Sequence, residues 1–565
     1  MYRNRIFFLL LVFALMPAIV YARSSAARII HVPSIQGDAT PVLQAAIQEA
    51  RSYRGRSIII KLENADYHLY RTSSTPYLYH VSNTTSEQEN PDATKHIGLW
   101  MKGLRNLTID GCGARLVTHG EMTAFVMDSC SNICLRNFVL ASADPTVPEM
   151  TVTETGEHHM VARIHPLSRY RIQDGRLSFV GDSWEWGSGL AQKYNPQKDV
   201  TWRSWMPLTD DCRAEELEPG LVRFTYKKAP DAQSGIVFQM RDTYRDEVCG
   251  LIQYSQDIRL EHLHIAFTGN FGIVAQMSAN ITYSNLTFEP EPGSGRTCAG
   301  FADFLHMSGC RGLILVENSR FVGAQDDPIN VHGTHLPVQE FLSPTELRVR
   351  YSHHQTFGFQ SFLPGNEVDF IDVHTLRPVG TFRVKEARME NPREIWIKLT
   401  KPVPEDIRQR GELALENVTY TPQVIIRHNF FSRVPTRGIL VTTRRPVLIE
   451  DNFFFRMQNS GVLISDDARS WYESGMARDV TIRRNHFFEC GSPVINIDPD
   501  NDRNEGPVHS NISIQDNRFT LKNPLAIRAR SVDGLLIQGN SFYMSDGSPA
   551  NNPVDTEGCF NVKYE

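Results

Sequence analysis

Apolar residues along much of this chain recur as short strands, each followed by an Asn-x-Phe element. The spacings between successive elements near the C-terminus are 23, 33, 32 and 23 residues, for the pairs Asn429/Phe431, Asn452/Phe454, Asn485/Phe487, Asn517/Phe519 and Asn540/Phe542. A period in the twenties with brief Val- and Ile-rich strands is typical of solenoid coils. The pattern predicts a parallel β-helix in which the asparagines stack at one turn of each coil.

A helical pattern precedes the first coils. Apolar residues fall on one helical face between Val42 and Ala50, with Thr40 or Asp38 as the predicted N-cap and Pro41 in the first turn. Many right-handed β-helices begin with a helix that covers the open end of the first coil. We therefore predict an all-β protein, a right-handed parallel β-helix, whose N-terminal part spans 23–144.

Two blocks, 145–245 and 335–422, lack the Asn-x-Phe element and show hairpin-like alternation instead. We predict that they are two small antiparallel β domains inserted at coil turns, where the loop ends stay close together. The β-helix then continues as catalytic coils over 246–334 and as C-terminal coils over 423–565. The first block carries Trp184, Trp186, Trp202 and Trp205, which either stack on sugars or form the core of the insert.

Composition narrows the function classes. The net charge is -6 and no basic run is present, which argues against nucleic acid as a partner. The nine cysteines are odd in number, sparse and without CxxC spacing, so we expect neither a disulfide framework nor zinc ligation.

The N-terminus has the pattern of a secretory signal. Arg3 and Arg5 precede an apolar run from Ile6 to Val20, and Val20-Tyr21-Ala22 resembles a cleavage site. We predict a signal peptide over 1–22, export to the periplasm or the medium, and no membrane insertion after the signal is removed. The sequence leaves the oligomeric state open.

Two acidic segments share one pattern. Asp303-x-x-His306-x-Ser308-Gly309 matches Asp327-x-x-Asn330-x-His332-Gly333 at one constant displacement along the chain, close to the period of the coils. Equivalent positions on consecutive coils lie about 4.8 Å apart, so Asp303 and Asp327 are predicted neighbours, with the adjacent Asp326 projecting differently. Such a cluster fits glycoside hydrolysis, a Ca²⁺ site as in a lyase, or structural aspartates at coil corners.

The same residues resemble a known family. The segments 299–306, 323–334 and 471–475 are similar to glycoside hydrolase family 110, the exo-acting α-1,3-galactosidases that remove terminal α-1,3-linked galactose, including that of the blood group B determinant. The resemblance implies a parallel β-helix with two small β-barrel domains, inversion of the anomeric configuration, and neither metal nor other cofactor. It also implies that Asp326 is the acid and that Asp303 and Asp327 act together as the base.

Further residues are candidates for binding galactose. His306, Asn330 and His332 share the predicted face and are expected to hydrogen-bond sugar hydroxyls. Counting along the coil places Arg437 over Asp327, either as a substrate contact or as a charge balancer. Trp471 and Glu473 lie in a lengthened loop, where a stacking aromatic beside a hydroxyl acceptor suits a sugar.

The expected partner is therefore a galactose-terminated oligosaccharide or glycoconjugate, and linear α-1,3-galactosides are a further candidate substrate. Two other hypotheses stay open at this point. One is a calcium-dependent polysaccharide lyase, and the other is a β-helix that binds glycans without cleaving them.

Overall fold

The computed structural model describes residues 27–53 and 55–565, so the predicted signal peptide lies outside the described residues. The helix Thr40–Ser52 precedes the coils and buries Leu43, Ala46, Ile47 and Ala50. Pro41 lies in its first turn as predicted, but the predicted N-cap is wrong. The residue before the helix is Ala39, and Asp38 instead accepts a hydrogen bond from the Thr40 N–H at 2.9 Å.

One long sheet of 21 strands forms most of the β-helix wall. Neighbouring strands pair in parallel, each coil stacking on the one before it. Its strands are Arg28–Val32, Ile58–Leu62, Asp66–Tyr70, Arg105–His119, Ser131–Ser142, Gln256–Ile265, Ala279–Ser284, Thr287–Phe288, Arg311–Glu317, Arg320–Val322, Gln423–Arg427, Phe430–Ser432, Val447–Glu450, Phe453–Phe455, Arg478–Arg483, His486–Phe488, His509–Gln515, Arg518–Leu521, Val532–Gln538, Ser541–Met544 and Phe560–Tyr564.

A second parallel stack, here called the site sheet, closes each coil. Its strands are Thr94–Lys102, Thr123–Asp128, Val248–Gln253, Phe271–Gln276, Leu305–Ser308, Ile329–Ser343, Ile439–Val441, Val462–Ile464, Ile495–Ile497, Ile527–Arg530 and Val554–Glu557. Two short strands pair with it in antiparallel sense, Thr75–Leu78 and Glu473–Ser474.

The predicted asparagine stack is present. The Asn452 side chain donates to Asn485 Oδ1 at 2.9 Å, and the same bond links Asn429 to Asn452, Asn485 to Asn517 and Asn517 to Asn540. Inside the coils the phenylalanines stack as well, with 4.7 Å between the ring centroids of Phe454 and Phe487. Each polar group thus finds its partner on the next coil, while the aromatic column fills the interior.

The first insert consists of antiparallel strands around a core of its own. Seven strands form one sheet and three form another: Glu149–Gly156, His159–Ile164, Leu190–Asn195, Val200–Ser204, Arg213–Glu218, Leu221–Thr225 and Val237–Arg241, then Tyr170–Gln173, Arg176–Val180 and Glu185–Trp186.

The second insert is a closed six-stranded antiparallel barrel. The site-sheet strand Ile329–Ser343 runs on into it and pairs on either side with Glu346–Arg350 and Leu413–Asn417. The ring is completed by Glu394–Leu399, Arg377–Met389 and Glu367–Asp372. The remaining helical pieces are short, at Arg71–Ser73, Glu405–Arg408 and Val418–Tyr420. The predicted β-helix with two inserted antiparallel β domains is confirmed.

Two further findings concern the chain as a whole. All nine cysteines fall within the described ranges and are free thiols. Among the described residues, no helix is long and apolar enough to cross a membrane.

Candidate active site

Three consecutive strands of the site sheet place three charged side chains in one column. Leu305 pairs with Ile329, which pairs with Ile439. Asp303, Asp327 and Arg437 each lie two residues before these positions, so they lie one above another at the entry to their strands. The predicted displacement between the two acidic segments is thus the coil register, since His306 also pairs with Asn330 and Ser308 with His332.

Arg437 binds Asp327 through two parallel hydrogen bonds. Its Nε donates to Asp327 Oδ1 at 2.9 Å and its Nη2 donates to Oδ2 at 2.7 Å. The Asp327 side chain is 2% exposed. Burial raises the pKa of Asp327 to about 7, even though the positive charge of the Arg437 guanidinium acts to lower this pKa. Arg437 therefore fixes the carboxylate and balances its charge.

Asp303 is held by a histidine pair. His306 Nδ1 lies 2.9 Å from Asp303 Oδ2, and His306 Nε2 lies 3.0 Å from His332 Nε2. His332 Nδ1 donates to the Gly333 carbonyl at 2.5 Å. Burial, with the charge of Asp326 as a second cause, raises the pKa of Asp303 to about 8, whereas burial lowers the pKa of His306 to about 3.

These hydrogen bonds assign the protons in the ligand-free protein. Because the raised pKa of Asp303 keeps its carboxyl group protonated at neutral pH and the lowered pKa of His306 keeps that ring neutral, the single ring N–H of His306 is at Nε2 and donates to His332 Nε2. A neutral His306 then accepts at Nδ1, and Asp303 donates to it as a carboxylic acid. The chain therefore locks the orientation of the Asp303 carboxyl group.

The prediction that His306 and His332 bind sugar hydroxyls is wrong, because the two side chains do not lie at the pocket. The side chains are 0% and 2% exposed, and neither lines the pocket. They lie on the same face of the site sheet as Ser308, and a segment near Ser82 covers part of this face, with Ser82 Oγ donating to Ser308 Oγ at 3.2 Å. The Phe271 ring packs against His306, with 5.4 Å between ring centroids. They support Asp303 from behind instead.

Asp326 points to the open side of the cluster. Its side chain is 22% exposed, more than that of Asp303 or Asp327. Arg203 of the first insert donates to Asp326 Oδ2 at 3.2 Å, and Arg437 Nη2 lies 3.9 Å from Oδ1. The first insert also holds the preceding backbone, because the Gln192 side chain donates to the Gln325 carbonyl at 2.9 Å.

The three carboxyl groups line a small pocket of about 90 Å³. The pocket is also lined by four of the residues predicted to bind galactose: Asn330, Arg437, Trp471 and Glu473. Asn330 Nδ2 donates to Glu473 Oε1 at 3.4 Å, and the Trp471 ring stacks on His353 with 4.6 Å between centroids. The pocket thus combines hydroxyl donors and acceptors with an aromatic wall.

Four other pocket residues went unnoticed in the sequence. They are Asn83, Arg245, Phe271 and Leu440. Arg245 lies over the Phe271 ring at 5.0 Å from its centroid and donates to Gln355 of the second insert at 3.0 Å. Asn83 and Arg245 come from segments outside the repeat, so no local pattern marks them.

The cluster suits proton transfer better than metal binding. The positive charge of Arg437 lies against both oxygens of Asp327 and disfavours a second cation there, and His306 hydrogen-bonds one oxygen of Asp303. Within 27–53 and 55–565, no three His, Cys, Asp or Glu residues form a group that could hold a metal ion. Fixed carboxyl groups beside a more exposed one can instead give and take protons at a polar substrate.

The fold and the site together define a β-helix protein with three carboxyl groups at a small polar pocket. Family models for GLAA-B beta-barrel domain I and domain II match residues 148–237 and 346–411. The chain is 47% identical over 529 residues to alpha-1,3-galactosidase A of Bacteroides thetaiotaomicron, covering 93% of each chain. It belongs to this family of glycoside hydrolases, family 110.

Relatives of lower identity also align with most of this chain. Alpha-1,3-galactosidase A of Streptomyces avermitilis is 34% identical over 94% of this chain and 88% of its own. Alpha-1,3-galactosidase B of Bacteroides thetaiotaomicron is 31% identical over 90% and 84%. Among solved structures, a Yersinia enterocolitica family 28 exopolygalacturonase covers 95% of this chain and 78% of its own at 10% identity, with a TM-score of 0.42.

Proposed function

We propose that the protein is an inverting exo-glycosidase that hydrolyses terminal α-1,3-linked galactose. The observation that carries this proposal is the contrast within the cluster. Asp303 and Asp327 are buried and fixed by His306 and Arg437, while Asp326 beside them opens outward. The names of the relatives, alpha-1,3-galactosidases A and B, supply the substrate class.

In this mechanism Asp326 protonates the glycosidic oxygen, and Asp303 with Asp327 polarises the attacking water. An inverting glycosidase needs one carboxylic acid on the leaving-group side and carboxylate on the water side. Asp326 is the most exposed of the three carboxyl groups, which suits contact with a leaving group that extends out of the pocket. The other two remain where a water can be held against the sugar.

The charge of Asp326 is coupled to the other two carboxyl groups. The negative charge of Asp326 is one cause of the raised pKa values of Asp303 and Asp327. Neutralising Asp326 therefore lowers the pKa values of Asp303 and Asp327, which favours the ionised form that a base requires.

The glycan specificity follows as part of the proposal. We expect release of galactose from the branched blood group B antigen and from linear α-1,3-galactosides. We also propose export to the periplasm or the medium, because residues 1–22 have the sequence pattern of a signal peptide.

The test is galactose release from branched and linear α-1,3-linked trisaccharides by the wild type and by Asp303→Asn, Asp326→Asn and Asp327→Asn. Release by the wild type and its loss in all three folded variants is the expected result. Loss of activity with EDTA, together with unsaturated products that absorb in the ultraviolet, would establish a calcium-dependent lyase instead. Binding of the glycan without release of any product would show that the protein is a non-catalytic, glycan-binding β-helix.

A further inference from the structure

A groove of about 660 Å³ lies on the first insert. Its lining includes two tryptophans, a methionine and three charged residues: Trp202, Trp205, Met206, Arg203, Lys228 and Asp231. Trp202 and Arg203 belong to Val200–Ser204, a strand at the edge of the seven-stranded sheet.

The four tryptophans of this insert divide into two pairs. Trp186 is buried in the core of the insert, and Trp184 packs against that core beside it. Trp205, in contrast, is 90% exposed, and Trp202 is half-buried at the groove. A single exposed aromatic side chain is common on protein surfaces, but two tryptophans that line the same groove form a surface suited to a ligand.

Arg203 connects this groove to the reaction centre. It lines the groove, and its guanidinium donates to Asp326 Oδ2 at 3.2 Å. If Asp326 protonates the glycosidic oxygen, the sugar that leaves must lie next to Asp326. With galactose in the small pocket, Arg203 marks a route from Asp326 to the groove for the rest of the glycan.

We propose that this groove binds the leaving-group side of the substrate, the uncharged sugar residues to which galactose is attached. Trp202 and Trp205 stack on the apolar faces of these sugars, and Arg203 donates hydrogen bonds to their hydroxyl groups. This inference rests on the proposed function, because it takes Asp326 as the proton donor. It assigns to the first insert a role in selecting long glycans.

The experiment compares two substrates with the same galactose and different leaving groups, p-nitrophenyl α-galactoside and an α-1,3-galactosyl trisaccharide. The readout is the ratio of kcat/KM for the trisaccharide to kcat/KM for the aryl galactoside. In Trp205→Ala we expect this ratio to fall about tenfold, which corresponds to about 1.4 kcal/mol, through a higher KM for the trisaccharide. Trp202→Ala should shift the ratio in the same direction.

Tyr543→Ala is the matched control, since Tyr543 is 49% exposed and lies in the C-terminal coils far along the chain from the groove. It should leave the ratio unchanged, and melting temperatures should show that all variants fold. An unchanged ratio in both tryptophan variants, with the wild type active on both substrates, overturns the groove assignment and leaves the proposed function standing. A wild type that releases galactose from neither substrate overturns both.

Discussion

Arg437 and Asp327, which are 110 residues apart in sequence, form a two-point ion pair at 2.9 Å and 2.7 Å across adjacent coils. Arg437 Nη2 also lies 3.9 Å from Asp326, so one guanidinium faces both neighbouring aspartates. Opposite charge at this distance stabilises the ionised carboxylate of Asp327. The coil register thus supplies the cation that the carboxyl cluster needs.

Removing this guanidinium should shift the pH dependence of catalysis. In Arg437→Ala the pKa of Asp327, already raised by burial, rises further, because the lowering effect of Arg437 is lost. The base must be ionised, so the acidic limb of the kcat/KM profile should move up by about 1–3 pH units. Arg437→Lys keeps a charge without the two-point contact and should show a smaller shift. An acidic limb that stays in place in Arg437→Ala would show that Asp327 does not act as base.

If Asp326 is the proton donor, the loss of activity in Asp326→Asn should depend on the leaving group of the substrate. We expect kcat on an α-1,3-linked trisaccharide to fall by about 10²–10⁴-fold, because an amide cannot protonate the glycosidic oxygen. The loss should be much smaller with p-nitrophenyl α-galactoside, whose leaving group needs little protonation. Asp174→Asn, at an exposed turn of the first insert, is the control for the substitution itself. Equal losses on the two substrates would argue against Asp326 as the acid.

His306 should act by positioning Asp303. His306→Ala removes the hydrogen bond that fixes the carboxyl group, and a small misplacement of a reacting group reduces kcat by about 10²-fold. KM should change little, because His306 does not line the pocket. His306→Asn, whose side-chain oxygen can accept the hydrogen bond from the Asp303 carboxyl group in place of Nδ1, should recover part of the loss. Equal kcat values for the alanine and asparagine variants would contradict a positioning role.

Asp303 should also make the folding stability of the protein depend on pH. Its pKa in the folded protein is about 8, above the value of about 3.9 in an unfolded chain. The folded state therefore binds more protons between these values, so the contribution of Asp303 to stability is complete below about pH 4 and is lost as pH rises through 8. Asp327, with a pKa raised to about 7, acts in the same direction.

In Asp303→Asn the melting temperature should fall less steeply from pH 5 to pH 8 than in the wild type, because the titrating group is gone. The comparison of the two slopes isolates this residue from the other titrating groups. Parallel curves would show that Asp303 is already ionised in the folded protein at neutral pH.

The sequence predicts the repeating part of the molecule well because the coils stack in register. Two residues separated by one coil period therefore lie next to each other on adjacent coils. The displacement between Asp303 and Asp327 is the strand register, and counting along the coil places Arg437 over Asp327. The asparagine and phenylalanine columns follow from the same rule.

Contacts between the coils and the inserted segments obey no such rule. Arg203 and Arg245 reach the site from outside the repeat, and their positions depend on how the first insert packs on the coils. His306 lies on the same face of the site sheet as Ser308, but the covering segment near Ser82 comes from a distant part of the sequence, before the first insert. The alternation of residues along a strand predicts the face on which a side chain lies. It does not predict whether another segment of the chain covers that face.

Proton NMR of the sugar first released from an α-1,3-galactosyl trisaccharide tests the central claim most directly. Attack by a water held by Asp303 and Asp327, opposite a leaving group protonated by Asp326, inverts the anomeric centre. The account predicts that β-galactose appears first and that α-galactose accumulates only later by mutarotation. Initial release of α-galactose would contradict it.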